Sequence, residues 1–403
     1  KPLPAAVAVA PGWLIVARNE TDLVALGPFA YRAMPGDASL VSSGALVAIA
    51  PHEALAGPVA ASLRARWTAL RGWLLEADRE QRERHGGRRP DFGDPEAIVR
   101  VLEPVVDRHL AALAGTSELR LEGTTGEDEV SIELHAGVTA DPLPAPAAGD
   151  AYALADVPAD AAFALLVRDT ASERVDSAQA VASSVAEVLG PRLPDDQARA
   201  IAAALGDLAQ ARGDVMSLGL PGATMASGLW LRAATTSDDA AARAVRRTLE
   251  LSRLSSLRTA LDGVFHLGPA VFGPSSGNAG LATFPPAIAA RDVPPGALGI
   301  AWSTAGGRLT LAAGDRPRAI LDQVASPSAT WGDDPRTARA LAAIGASASF
   351  VAVAQPLRLG HPGVGGASAP LVLALGVRGG DPWARLDVAD GLLTEGLRLG
   401  TGY

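Results

Sequence analysis

Two stretches of alternating apolar and polar residues, 254 positions apart, constrain this chain more than any other feature of it. In residues 117–137 the apolar positions are Leu119, Leu121, Val130, Ile132 and Leu134, placed around the polar turn Thr124-Thr125-Gly126-Glu127. Residues 371–391 align with them without a gap: Leu373, Leu375, Gly380, Asp381, Leu386, Asp387, Val388 and Gly391 stand where Leu119, Leu121, Gly126, Glu127, Ile132, Glu133, Leu134 and Gly137 stand. A period of two places one row of side chains on a buried face and the next in water, so each stretch predicts a half-buried β-hairpin.

The likeness extends upstream. Residues 46–50 (LVAIA) align with 350–354 (FVAVA), and Gly12-Trp13-Leu14-Ile15-Val16-Ala17 aligns with Gly307-Arg308-Leu309-Thr310-Leu311-Ala312. Between strand and hairpin the first copy carries about 50 residues more than the second, and these have helical periodicity. Leu63, Trp67, Leu70 and Leu74 fall at steps of four, three and four. Asp94-Pro95-Glu96 supplies an N-cap, an N1 proline and an acidic first turn for a helix carrying Ile98, Val101, Leu102, Val105 and Leu113.

Pro142, Pro144 and Pro146 mark an extended linker. The expected organisation is a first lobe over 1–148, with a helical excursion at about 53–115, and a second over 149–403, with a sub-boundary near 285–296 at Pro285-Pro286 and Pro294-Pro295. Within the second lobe come a strand at 162–167, a helix with Val181, Val185 and Val188, a helix opened by Pro194-Asp195-Asp196, a hairpin over 215–220 and 229–233, and a helix capped at Thr236-Ser237. The fold class expected is α+β, two related lobes of hairpin-built mixed or antiparallel sheets with flanking helices. If the copies arose by duplication, the elements ahead of Gly307 predict an equivalent front half ahead of Lys1.

The strand and helix units GWLIVARNETDLVAL and GRLTLAAGDRPRAIL resemble those of uncharacterised secreted proteins and lipoproteins of high-GC bacteria. The resemblance implies an extracytoplasmic home, in the periplasm or at the cell surface, and assigns no activity.

Composition removes several chemistries. Lysine occurs only at Lys1 and cysteine not at all, so this chain offers no P-loop lysine, kinase strand lysine, Schiff base, thiol nucleophile or thiolate metal site. A net charge of -9 repels nucleic acid and anionic lipid. The arginine-rich stretch from Arg79 to Arg89 is interleaved with Glu76, Asp78, Glu80, Glu83, Asp91 and Asp94 and forms no basic patch.

Motif by motif, the remaining candidates lose to plainer structural roles. Gly273-Pro274-Ser275-Ser276-Gly277 matches a nucleophile elbow, with Asp292, Asp315 and His361 downstream in hydrolase order. An elbow needs a helix directly after its serine, whereas Gly280 and Pro285-Pro286 follow here. The six histidines, at 52, 85, 109, 135, 266 and 361, form no i, i+4 pair. The loop Gly360-His361-Pro362-Gly363 leads to a strand and not to a phosphate-binding helix. No residue is assigned as catalytic, cofactor-binding or metal-binding, and no cofactor is expected. The expected function is a non-enzymatic extracytoplasmic interaction or scaffold protein with protein partners and no nucleic acid, associating with membrane only through an anchor absent from this chain. The alternatives are a binder of an apolar, lipid-like ligand and a serine hydrolase using Ser275.

Overall fold

The computed structural model describes residues 6–10, 13–17, 19–33, 46–84, 95–126, 129–138, 147–222, 228–265, 267–275, 277–286, 298–360, 369–389 and 391–392. The proposed linker prolines and most of the 285–296 stretch lie outside these residues.

A small hairpin of β1 (Ala6–Ala10) and β2 (Trp13–Ala17) precedes α1 (Glu20–Ala33) and forms its own two-stranded sheet. The strand β3 (Leu46–Pro51) leads into α2 (His52–Ala54), a π-helical turn at Leu55–Val59, and the long α3 (Ala60–Arg84). Pro58 lies inside that turn, and its missing N–H gives the widened hydrogen-bonding a local cause. Then come α4 (Pro95–Ala114), β4 (Thr116–Thr125) and β5 (Glu129–Val138). The same succession of strand, two long helices and hairpin follows at once in β6 (Phe163–Arg168), α5 (Ala171–Leu189), α6 (Asp195–Ala211), β7 (Arg212–Leu220) and β8 (Leu229–Thr235). Thr170 starts α5 with a capping box, its hydroxyl taking the Glu173 N–H while the Glu173 carboxylate takes the Thr170 N–H.

Beyond them lie α7 (Asp238–Glu250), α8 (Ser255–Phe265), β9 (Val271–Phe272), β10 (Ala279–Phe284), β11 (Leu298–Ala305) and β12 (Arg308–Gly314). The chain continues through α9 (Pro317–Ala325), α10 (Pro335–Ile344), β13 (Ala348–Ala354), the short α11 (Pro356–Gly360), β14 (Leu371–Arg378) and β15 (Asp381–Ala389).

Strands β3 to β15 form one antiparallel sheet of 13 strands in the order β3-β4-β5-β15-β14-β13-β6-β7-β8-β12-β11-β10-β9. The chain is α+β, with flanking helices and an antiparallel sheet. Three-strand blocks alternate in direction along it, so third strands meet at β5 with β15 and again at β8 with β12, while first strands meet at β13 with β6. The two predicted hairpins therefore lie edge to edge. At that seam Ile132 faces Leu386, the very positions that the sequence alignment equates.

Each face of the sheet has its own helices. On one, Leu166, Trp230, Val351, Val353 and Val372 pack beneath Ile320 and Val324 of α9, Leu341 and Ile344 of α10, and the buried Trp331. Trp230 is fully buried, and its indole fills the space a side chain at Gly219 would need. On the other face, Ile300, Trp302, Leu309 and Leu311 pack against Leu208 of α6 and Val245 and Leu249 of α7. Helices α5, α6 and α8 are joined to one another by Ala182, Leu189, Ile201, Leu205 and Leu257.

The seam also holds a buried polar network. The Arg385 Nε donates to Asp387 at 2.8 Å, its Nη2 reaches the Ser131 Oγ at 3.2 Å, and Ser131 donates to the same carboxylate. Asp387 is 2% exposed, and although Arg385 also lies 3.8 Å from Glu129 and 3.6 Å from Glu133, removing the Asp387 charge takes away its shortest ion pair and the acceptor of the Ser131 hydroxyl. Asp387→Ala is expected to lower stability by about 3 kcal/mol, read from urea denaturation, and to speed tryptic cleavage within the first lobe.

Candidate functional site

The apolar face of the sheet is incompletely covered between the helices, and a cavity of about 280 Å3 opens there. Met216 of β7, Leu231 of β8, and Leu309 and Leu311 of β12 form its floor. They share a face because register sets Leu231 opposite Leu311 and strand side chains alternate. The walls come from Ala178 and Val181 of α5, Leu205 and Leu208 of α6, and Val245 and Leu249 of α7. Ser177 and Val181 are exposed, Val181 by 51%, and stand at the mouth.

Two cations also line this space, Arg174 and Arg212, while no carboxylate does. Arg174 lies in the first turns of α5 and is buried. Its Nε donates to the Ala209 carbonyl at 3.3 Å, and its Nη1 donates to the Asp169 carbonyl at 3.0 Å and Oδ1 at 3.3 Å. Arg212 is where α6 gives way to β7. Its Nη2 donates to Asp169 Oδ2, whereas its buried Nη1 has no hydrogen-bond partner among the described residues. Two guanidiniums share one carboxylate, leaving a net charge of about +1 beside an apolar cavity, where charge acts more strongly than in water. An unpaired buried donor is costly.

On the opposite face, Arg232 is buried, and burial pushes its guanidinium below its usual value despite the nearby Asp156. Its Nη1 donates to the Asp156 carbonyl at 3.1 Å and its Nη2 to the Val324 carbonyl. Asp156 also pairs with Arg308 at 3.2 Å. Those bonds tie β8 and β12 to the segment before β6, which is a structural task.

Ser275 sits in an exposed, irregular stretch between β9 and β10, so a strand and not a helix follows it. Asp292 and His361 lie outside the described residues, while Asp315 pairs with its neighbour Arg316. His52 and His109 are bound to the backbone carbonyls of Thr116 and Val105 at 2.9 and 2.7 Å, and His135 lies 3.2 Å from Glu133. His85 and His266 are outside the described residues. Among the described residues no cluster of three metal-ligating side chains occurs, and no helix is long and apolar enough to cross a membrane.

None of the cavity's residues was singled out by motif. Arg174 follows the β6-to-α5 junction and Arg212 stands at the α6-to-β7 junction, both among polar neighbours, and only the fold brings them to Asp169. Comparison with family models, with curated proteins and with solved structures finds no match to this chain. A fluorophosphonate probe is expected to leave the protein unlabelled, with no difference between the wild type and Ser275→Ala on a fluorescence gel; labelling that Ser275→Ala abolishes would restore the hydrolase alternative.

Proposed function

We propose that this protein is an extracytoplasmic binding protein that holds an apolar, lipid-like ligand between its sheet and its helices, without catalysing a reaction. The observation that carries this is the cavity floored by Met216, Leu231, Leu309 and Leu311, which is apolar along its floor and most of its walls. Its volume of about 280 Å3 lies near the lower end of ligand pockets, about 300 Å3, which suits one hydrocarbon chain. The absence of cysteine accords with an oxidising compartment.

A second reading, an interaction or scaffold role with protein partners, is favoured by the helical excursion. Leu63, Leu70 and Trp73 of α3 and Leu102 and Val105 of α4 are exposed, Trp73 by 65%. Such a row of apolar side chains is a feature of interaction surfaces. The internal repeat belongs to the same proposal. The order hairpin, helix, strand and hairpin in β1–β2, α1, β3 and β4–β5 is found again, with α10 added after the helix and without α2 to α4, in β11–β12, α9, β13 and β14–β15, which supports duplication. The element between β3 and the β4–β5 hairpin has its counterpart in α5–α6 and not in the final block, which has only α11 and the segment after it.

Ala178 lies on the cavity wall and is only partly buried, so a bulky residue there fills space without entering the cores. Ala178→Trp is expected to abolish saturable binding of a neutral apolar probe, such as a fluorescent long-chain alcohol, while shifting Tm by no more than a few degrees. Undiminished binding in that variant would remove the cavity from consideration and leave the interaction reading.

A further inference from the structure

Resting on the binding role just proposed, we infer that the ligand is a single-chain amphiphile with one carboxylate, its hydrocarbon tail in the cavity and its head group on Arg212 with Arg174 beside it. Three observations carry this. The cavity is apolar along its floor and most of its walls, and among the described residues its only charged lining side chains are two arginines. Their shared counter-ion, Asp169, neutralises one of the two charges. The Arg212 side chain lines the cavity, is 15% exposed, and has Asp169, which it shares with Arg174, as its carboxylate partner among the described residues.

Other carboxylates near this cluster do not satisfy the Arg212 donor. Glu173 is engaged with the Thr170 N–H in the α5 cap, and Asp214 is exposed, its backbone carbonyl taking the Asp169 N–H at 3.1 Å. Two guanidiniums with one carboxylate between them favour an anion over a neutral polar group. The net charge of about one favours a monoanion. A dianionic phosphate would bring one charge more than the cluster offers. The tail follows from the floor, because a free carboxylate without one would gain nothing from the leucines beneath it.

The test compares cis-parinaric acid with its methyl ester by fluorescence titration at pH 8, using the whole chain. The acid is expected to bind about ten- to a hundred-fold more tightly than the ester, the range for one charge-assisted hydrogen bond. Arg212→Met should erase that preference by weakening the acid alone, and Arg212→Lys should retain part of it. An unchanged thermal melt in both variants reports that the chain is folded. Equal binding of acid and ester to the wild type overturns the anionic head group while leaving the apolar-ligand role standing. Failure of both probes to bind overturns the role itself, and a preference for acid that survives in Arg212→Met moves the head group away from Arg212.

Discussion

The pairing of β5 with β15 is the contact on which the architecture depends. Through it, the three strands of the first lobe join the remaining ten, and the sheet runs unbroken across the boundary expected near 148. Backbone ladders alone would leave this seam interchangeable with any other strand edge. The buried Ser131, Asp387 and Arg385 network favours one register, since a slip of one residue would turn Asp387 to the other face of the sheet, away from Ser131. The two exposed rims that remain are β3 and the very short β9, and a two-residue edge offers little template for adventitious pairing.

That sheet length sets the conditions for a cavity. Helices α9 and α10 close one face tightly, with Trp230, Trp331 and Leu341 excluded from solvent. On the opposite face α6 and α7 cover β8, β12 and β11, while α5 packs mainly on α6 and α8. A cavity remains between these helices and the sheet, and Leu373 and Leu375 on β14 are exposed by 36% and 38%. A large antiparallel sheet has more apolar face than its helices can seal, and unsealed apolar surface carries a cost that a bound hydrocarbon offsets. The binding role proposed above rests on this incomplete closure, beside which Arg174 of α5 and Arg212 at the start of β7 stand.

Much of the local structure was legible. The hairpins of 116–138 and 371–389 follow from alternation, α4 from Asp94-Pro95-Glu96, and the start of α7 from Ser237, whose hydroxyl takes the Ala240 N–H. The stripe read on α3 is different. Leu63 and Leu70 lie on a helix as expected but are exposed, because periodicity reports which residues share a face and not whether anything covers it. The likeness between β2 and β12 has the same limit. Both are strands with a helix after them, yet β2 pairs only with β1 while β12 is interior to the large sheet.

The sequence by itself determined the elements, the α+β class and the likeness of the two hairpins, because these depend on spacing over a few residues. It also removed thiol and lysine chemistry, since no fold can supply a missing functional group. Only the tertiary structure decided that β15 returns to β5, that the blocks alternate in direction, and that Asp169, Arg174 and Arg212 converge beside Leu231 and Leu311. Strand order and side-chain convergence depend on contacts between residues far apart in the chain, and a local pattern contains no term for what lies on its other side.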